Sequence, residues 1–181
     1  MNTEMRNIKN ILLVEDDLND VQLTLAGLAE NQLADKVAVV RDGAEALDYL
    51  YRRGKYQMRA PGNPFLVLLD NKMPKVSGLQ VLKTIKMDDN LKTIPVVALT
   101  SSRERSDLMA FYQNGINAYV VKPVDFSEFM RAIKQLGIFW AAINEPPPVK
   151  EAAALQNGEV VPVGQEEVEN DIAAAHPASG R

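Results

Sequence analysis

Four apolar runs in this chain each end on a group that can do chemistry. "ILLV" is followed by Glu15, Asp16 and Asp17, and "FLVLL" by Asp70. "VVALT" closes on Thr100 before Ser101 and Ser102, and "AYVV" leads into Lys122 and Pro123. An ionised carboxylate at the tip of a buried strand costs free energy unless a cation or hydrogen-bond donors meet it. Asp70 in "FLVLLDNKMP" therefore needs partners from elsewhere in the sequence. Carboxylates drawn together repel, and a hard divalent cation is the natural compensation. Magnesium suits such a set because it takes few protein carboxylates, keeps waters and completes its octahedron with a phosphoryl oxygen.

Singly, each run has a plainer reading. The triplet Glu15–Asp17 can serve as N-cap and dipole-favoured charge for a following helix. Asp70 can cap a turn before Pro74, Thr100 can be a helix N-cap, and Lys122 a solvated lysine ahead of a turn proline. Together these readings demand four independent accidents at four strand ends. A shared pocket demands only that the strands be parallel neighbours.

The intervening sequence supplies the elements. After the first strand, "LNDVQLTLAGLAEN" places Val21, Leu25 and Leu28 on one helical face, with Leu18 at its start. "KVAVV" is a second strand, and "GAEALDYLYRRG" a short amphipathic helix closed by Gly54. "SGLQVLKTIKMDD" spaces Leu79, Leu82, Ile85 and Lys86 helically, and Pro95 opens the fourth strand. A fourth helix over about Glu104–Asn114 ends at Gly115, and "DFSEFMRAIKQLGIFWAAI" is a long last helix with Asp125 as its N-cap. Phe126, Phe129, Met130 and Ile133 read as its core face. Five apolar strands alternating with five helices imply a parallel sheet covered on both faces. Ligands of such sheets gather beyond the carboxyl ends of the strands, where the strand order reverses.

Composition narrows the chemistry further. At 181 residues, 46% hydrophobic and 24% charged, the chain suits one domain with an appendage. It has no cysteine, which excludes disulfides and thiolate metal sites. The one histidine, His176, lies among Ala, Pro, Ser and Gly near the C-terminus, away from any cluster. The net charge of −4 falls entirely on the residues from Pro146 onward. No basic stripe for nucleic acid remains. The polar start "MNTEMRNIKN" and the lack of an apolar run of roughly 20 residues point to a soluble cytoplasmic protein without a membrane span.

In order and spacing, "ILLVEDD…FLVLLDNKMPKVSG…PVVALTSS…AYVVKP" resembles the receiver domain of bacterial two-component response regulators, over about residues 8–140. The resemblance implies a flavodoxin-like, doubly wound five-stranded parallel sheet of order 2-1-3-4-5 with five helices. It makes Asp70 the phospho-accepting nucleophile, Asp16 a direct magnesium ligand and Glu15 a ligand acting through water, with the Lys72 backbone carbonyl also on the ion. Thr100 becomes the switch hydroxyl, Tyr119 the rotating aromatic and Lys122 the cation on the phosphoryl oxygens, ahead of a cis peptide at Pro123. Output is then expected through the face of the fourth helix, fifth strand and fifth helix. One departure is Asn71, where the family usually has an apolar residue. Asn71, Lys72 and Ser102 lie where they would tune the lifetime of the phosphoryl group.

Two elaborations resemble the stand-alone regulators that partner bacterial phytochrome histidine kinases. The loop "RRGKYQMRAPGNP" before the third strand is long, and the last helix runs on through "GIFWAAINEPPP". That likeness implies a red-light-sensing histidine kinase as phosphodonor. Phe139, Trp140 and Ile143 lie beyond the reach of a five-stranded domain and suggest a homodimer interface. Residues 1–144 then form the receiver, and 145–181 an acidic Pro-, Ala- and Glu-rich tail. The tail reads as disordered, or as an exchange arm built on "EVVPV". Two other functions compete with a phosphoacceptor that modifies itself without turning over a substrate. A phosphatase of the haloacid-dehalogenase kind needs D-x-D, and the sequence here is "DNK". Asp16, Asp70, Thr100 and Lys122 together speak against a pseudo-receiver that binds partners unphosphorylated, while Asn71 keeps that alternative open.

Overall fold

The computed structural model describes residues 10–145. The expected exchange arm and the tail beyond Glu145 lie outside the described residues. Strands β1 (Ile11–Val14), β2 (Val37–Val40), β3 (Leu66–Leu69), β4 (Val96–Thr100) and β5 (Ala118–Val121) alternate with helices α1 (Leu18–Ala29), α2 (Gly43–Leu50), α3 (Gly78–Met87), α4 (Arg105–Gln113) and α5 (Phe126–Ile138). All strand pairs are parallel, in the order β2-β1-β3-β4-β5. This is the flavodoxin-like architecture expected. The order reverses at β1, so the crevice above β1 and β3 is where the fold offers a site.

Alternation along each strand divides the core in two. Leu12, Val14, Val67, Leu69, Val96 and Ala98 face the layer holding Ala46, Leu82, Ile85 and Phe111. Ile11, Leu13, Leu66, Leu68, Val97 and Leu99 face Val21, Leu28, Phe129 and Ile133. The helix starts are chemically marked. Asp17, Asp42 and Asp125 accept backbone N–H bonds at the N-caps of α1, α2 and α5, and Ser77 forms a capping box with Gln80 on α3. Gly115, at φ +80°, ends α4 in the left-handed conformation that favours glycine.

Four expectations need correction. Helix α2 stops at Leu50, because Arg52 already turns the chain at φ 55°, and Gly54 instead opens a short 3-10 turn. Phe126, read as part of the core face of the last helix, is 58% exposed. It is the first residue of its helix, and helical side chains lean toward the N-terminus, so it projects past the end of the layer it was expected to join. No cis peptide bond occurs among the described residues, so Lys122–Pro123 is trans, the form X-Pro bonds favour by about 0.5–1 kcal/mol. Lastly, α5 runs on into a π-helical turn at Phe139–Ile143, where Phe139 and Ile143 are exposed but Trp140 folds back on the α1/α5 core layer. A residue one position on from Phe139 is turned about 100° around the helix, which brings Trp140 to the covered side. Among the described residues no helix is long and apolar enough to cross a membrane.

Candidate functional site

Register brings the strand tips level. Val14 pairs with Leu69 and Thr100 with Val121, so Glu15, Asp70, Thr100 and Lys122 emerge side by side. The tripeptide after β1 serves two purposes. Asp17 accepts from the Asn19 and Asp20 N–H groups at 2.7 and 3.1 Å and caps α1. Glu15 and Asp16 are left to face Asp70, and carboxylate oxygens of the three lie within 4.8 Å of one another. Arg41, just past β2, donates to the Asp16 carbonyl oxygen and pins this loop.

Asp70 is 6% exposed, and its Oδ2 accepts from the Lys72 N–H at 2.8 Å. Gly78 at the start of α3 lies so close that a Cβ there would run into the Asp70 carbonyl oxygen, while its N–H donates to the Asn71 carbonyl at 3.0 Å. Between them, Lys75 adopts φ +64° and reaches Asp42 at 2.5 Å, tying the β3–α3 loop to the cap of α2. That hydrogen bond, with backbone donors behind it, holds the Asp42 carboxyl below its ordinary range.

Lys122 Nζ stands 2.6 Å from Glu15 Oε2, 2.6 Å from Asp20 Oδ2 and 3.2 Å from Asp70 Oδ1. Burial alone would lower its pKa, but Asp20 and Glu15 hold the ammonium above its usual value. Burial pushes the Glu15 carboxyl up to about 7, against the opposing pull of Lys122. Thr100 is fully buried and its Oγ1 accepts from the Ser102 N–H at 3.2 Å. It caps no helix, since Glu104 occupies the N-cap position of α4. Tyr119 packs edge-to-face on Phe111 at 5.5 Å and donates its hydroxyl to the Ser102 carbonyl at 3.2 Å.

The structure brings Glu15, Asp16, Asp70 and Lys122 together. Lys72 meets Asp70 through its N–H, Thr100 and Tyr119 both meet Ser102, and Phe139, Trp140 and Ile143 belong to a different surface. Two acids were not anticipated: Asp20, on Lys122, and Asp107, on Asn71 and Ser102. Three carboxylates on one ammonium, with Asp16 beside Glu15 and Asp70, leave excess negative charge at an all-oxygen donor set. That is the chemistry of a hard divalent cation, and the acidic cluster can hold one.

This fold, with an acidic cluster and a lysine at the strand tips, places the chain in a known class. It belongs to the family of response regulator receiver domains, whose model matches residues 11–134. The relatives are more particular. Response regulator Rcp1 of Synechocystis sp. (strain PCC 6803) is 35% identical over 140 residues, 77% of this chain and 94% of that one. Its manganese-bound form aligns with a TM-score of 0.71 at 34% identity, covering 77% and 99% of the two chains. The phosphorylated cyanobacterial phytochrome response regulator RcpA aligns with a TM-score of 0.73 at 37% identity, over 77% and 99%. The bacteriophytochrome response regulator RtBRR is 56% identical with a TM-score of 0.63, over 78% and 86%. The chain is thus a receiver related to stand-alone, phytochrome-associated regulators.

Proposed function

We propose that this chain is a single-domain signalling phosphoacceptor that takes a phosphoryl group onto Asp70 from the histidine of a sensor kinase. The observation that carries the reading is Lys122 Nζ held 3.2 Å from Asp70 Oδ1 and on Glu15 and Asp20 as well, with Asp16 beside Glu15 and Asp70. Phosphoryl transfer asks a protein mainly for alignment and charge neutralisation. In the step, an Asp70 carboxylate oxygen forms a bond to phosphorus as the phosphorus–nitrogen bond breaks, and the departing imidazole nitrogen keeps the electron pair and takes a proton. Lys122 lies where it neutralises the equatorial oxygens. Glu15, Asp16, Asp70 and the Lys72 carbonyl would hold magnesium, which would supply the remaining neutralisation. Hydrolysis of the acyl phosphate returns the resting protein, so the chain modifies itself without a turnover substrate.

The acyl phosphate adds negative charge and strong acceptor oxygens. Thr100 moves to bond one of them, and Tyr119 turns into the space left, altering the surface of α4, β5 and α5. A protein donor is supported by the exposed apolar residues Leu18, Val124 and Phe126, which begin or precede the helices following β1 and β5. Likeness to RcpA and RtBRR supports a bacteriophytochrome kinase as that donor, and hence a cytoplasmic location and red-light signalling. Phe139 and Ile143 supply a homodimer contact. No contact with nucleic acid or membrane is part of this reading.

Incubation with acetyl phosphate and magnesium, followed by intact-mass measurement, tests the core claim. Wild type gains one phosphoryl group as acetate leaves, and Asp70→Asn gains none. Equal labelling of the two proteins would overturn it.

A further inference from the structure

Asn71 occupies the place after the expected acceptor and is 9% exposed. Its Nδ2 donates to Asp107 Oδ2 at 3.0 Å, and Ser102 Oγ donates to the same oxygen at 2.6 Å. Asp107 belongs to the first turn of α4. One carboxylate oxygen therefore joins the tip of β3, the tip of β4 and the start of α4. Connections run outward from Ser102: its N–H donates to Thr100 Oγ1 at 3.2 Å, its Oγ accepts from the Glu104 N–H at 3.4 Å, and its carbonyl accepts from Tyr119. Both residues expected to sense Asp70, Thr100 and Tyr119, lead to Asp107 through Ser102.

An ionised carboxylate only accepts hydrogen bonds. Asp107 thus occupies a donor on each of the two loops that flank Asp70. A phosphoryl group on Asp70 brings strong acceptor oxygens and new negative charge to the residue adjoining Asn71. Two anions then compete for one set of donors. We propose that Asp107 is a positioning residue that clamps Asn71, Ser102 and the start of α4 together in the resting protein, opposes an anion at Asp70, and releases both donors when one arrives. The inference rests on the phosphoacceptor reading of Asp70. Its consequence is that α4 loosens at its first turn, coupling the site to the outer face of the molecule through a carboxylate as well as through Thr100 and Tyr119.

A plainer role is available to Asp107, since an acid in the first turn favours a helix through its dipole alone. That role predicts a loss of stability on substitution with no change in anion binding. Calorimetric titration of the full chain separates the two, first with magnesium alone and then with beryllofluoride, a phosphoryl mimic, at saturating magnesium. Asp107→Ala is expected to bind beryllofluoride about tenfold tighter, the effect of losing one charge-assisted competitor. Its magnesium affinity stays within about twofold of wild type, because Asp107 lies outside the acidic cluster. In an Asn71→Ala background the gain shrinks, so the double-mutant cycle is non-additive. Asp107→Asn keeps the side-chain shape and gains about threefold, which preserves the comparison if the alanine variant folds poorly. Unchanged or weaker anion binding in a folded variant, or equal gains in both backgrounds, overturns the proposal while leaving the phosphoacceptor reading intact. Wild type that binds magnesium but no beryllofluoride sinks both.

Discussion

Glu15 is the residue whose chemistry depends most on what stands beside it. Buried at 2% exposure and 2.6 Å from Lys122, it carries a carboxyl pushed up from 4.5 to about 7 by desolvation. A group that binds its proton more tightly when folded stabilises the fold fully below its unfolded pKa and loses that contribution as pH rises through the folded value. The metal-free protein is therefore expected to melt at falling temperature as pH rises from 4.5 toward about 7. Glu15→Gln removes that slope, and magnesium, which needs the ionised carboxylate, reverses it. Thermal melts with and without chelator at both ends of the window check this; a slope unchanged by Glu15→Gln counts against it. The same residue shows what was legible at this scale. Glu15, Asp16, Asp70, Thr100 and Lys122 stand out because polar types interrupt strands that must otherwise be apolar. Asp20 and Asp107 do not, because acids are the ordinary choice in a first helical turn, and sequence does not say which way such a side chain faces. Asn71 was visible as a departure, but its partner lies 36 positions away on another element.

At the scale of elements, strands and helix starts were legible because burial on both faces and capping chemistry are local properties. What pairs of elements require of each other was less so. Two glycines illustrate the difference and carry a paired prediction. A Cβ on Gly27 of α1 would sit 2.7 Å from Ile133 Cγ2 of α5, which is fully buried and cannot yield. Overpacking of this kind costs about 1–3 kcal/mol, partly offset by the roughly 1 kcal/mol helix preference for alanine over glycine. Gly27→Ala should lower the melting temperature and leave the rate of acetyl-phosphate labelling close to wild type below the transition. Gly78→Ala should slow labelling about tenfold or more, because its Cβ strikes the Asp70 backbone and shifts the reacting carboxylate. Labelling and melting measured on both proteins decide it; equal loss of labelling in the two would show that α3 does not position Asp70. The misreading of Phe126 follows from the same limit. It fits its helical period, but a period does not say where the neighbouring layer stops.

For the whole molecule, the sheet ends on β5, whose outer edge meets no further strand among the described residues. Beside that edge, Asn117, Ala118 and Val120 line a shallow groove with Leu136, Phe139 and Trp140. The two aromatic rings pack edge-to-face at 5.1 Å, and Ile143 extends the apolar surface at 65% exposure. An edge strand beside an apolar ridge invites pairing with another chain, and the homodimer proposed above would use it isologously, across a two-fold axis. Trp140 is a poor probe of that pairing, because it also packs on the α1/α5 core layer and its loss would disturb the fold. Ile143 is the better one. Ile143→Glu puts a charge on the ridge at a position the core does not use, so the monomer should melt within about 0.5 kcal/mol of wild type. Sedimentation velocity across a concentration series is then expected to shift the variant to the monomer while wild type remains dimeric, with and without beryllofluoride and magnesium. A wild-type monomer, or a variant as dimeric as wild type, would remove this surface from the account and leave the site at Asp70 untouched.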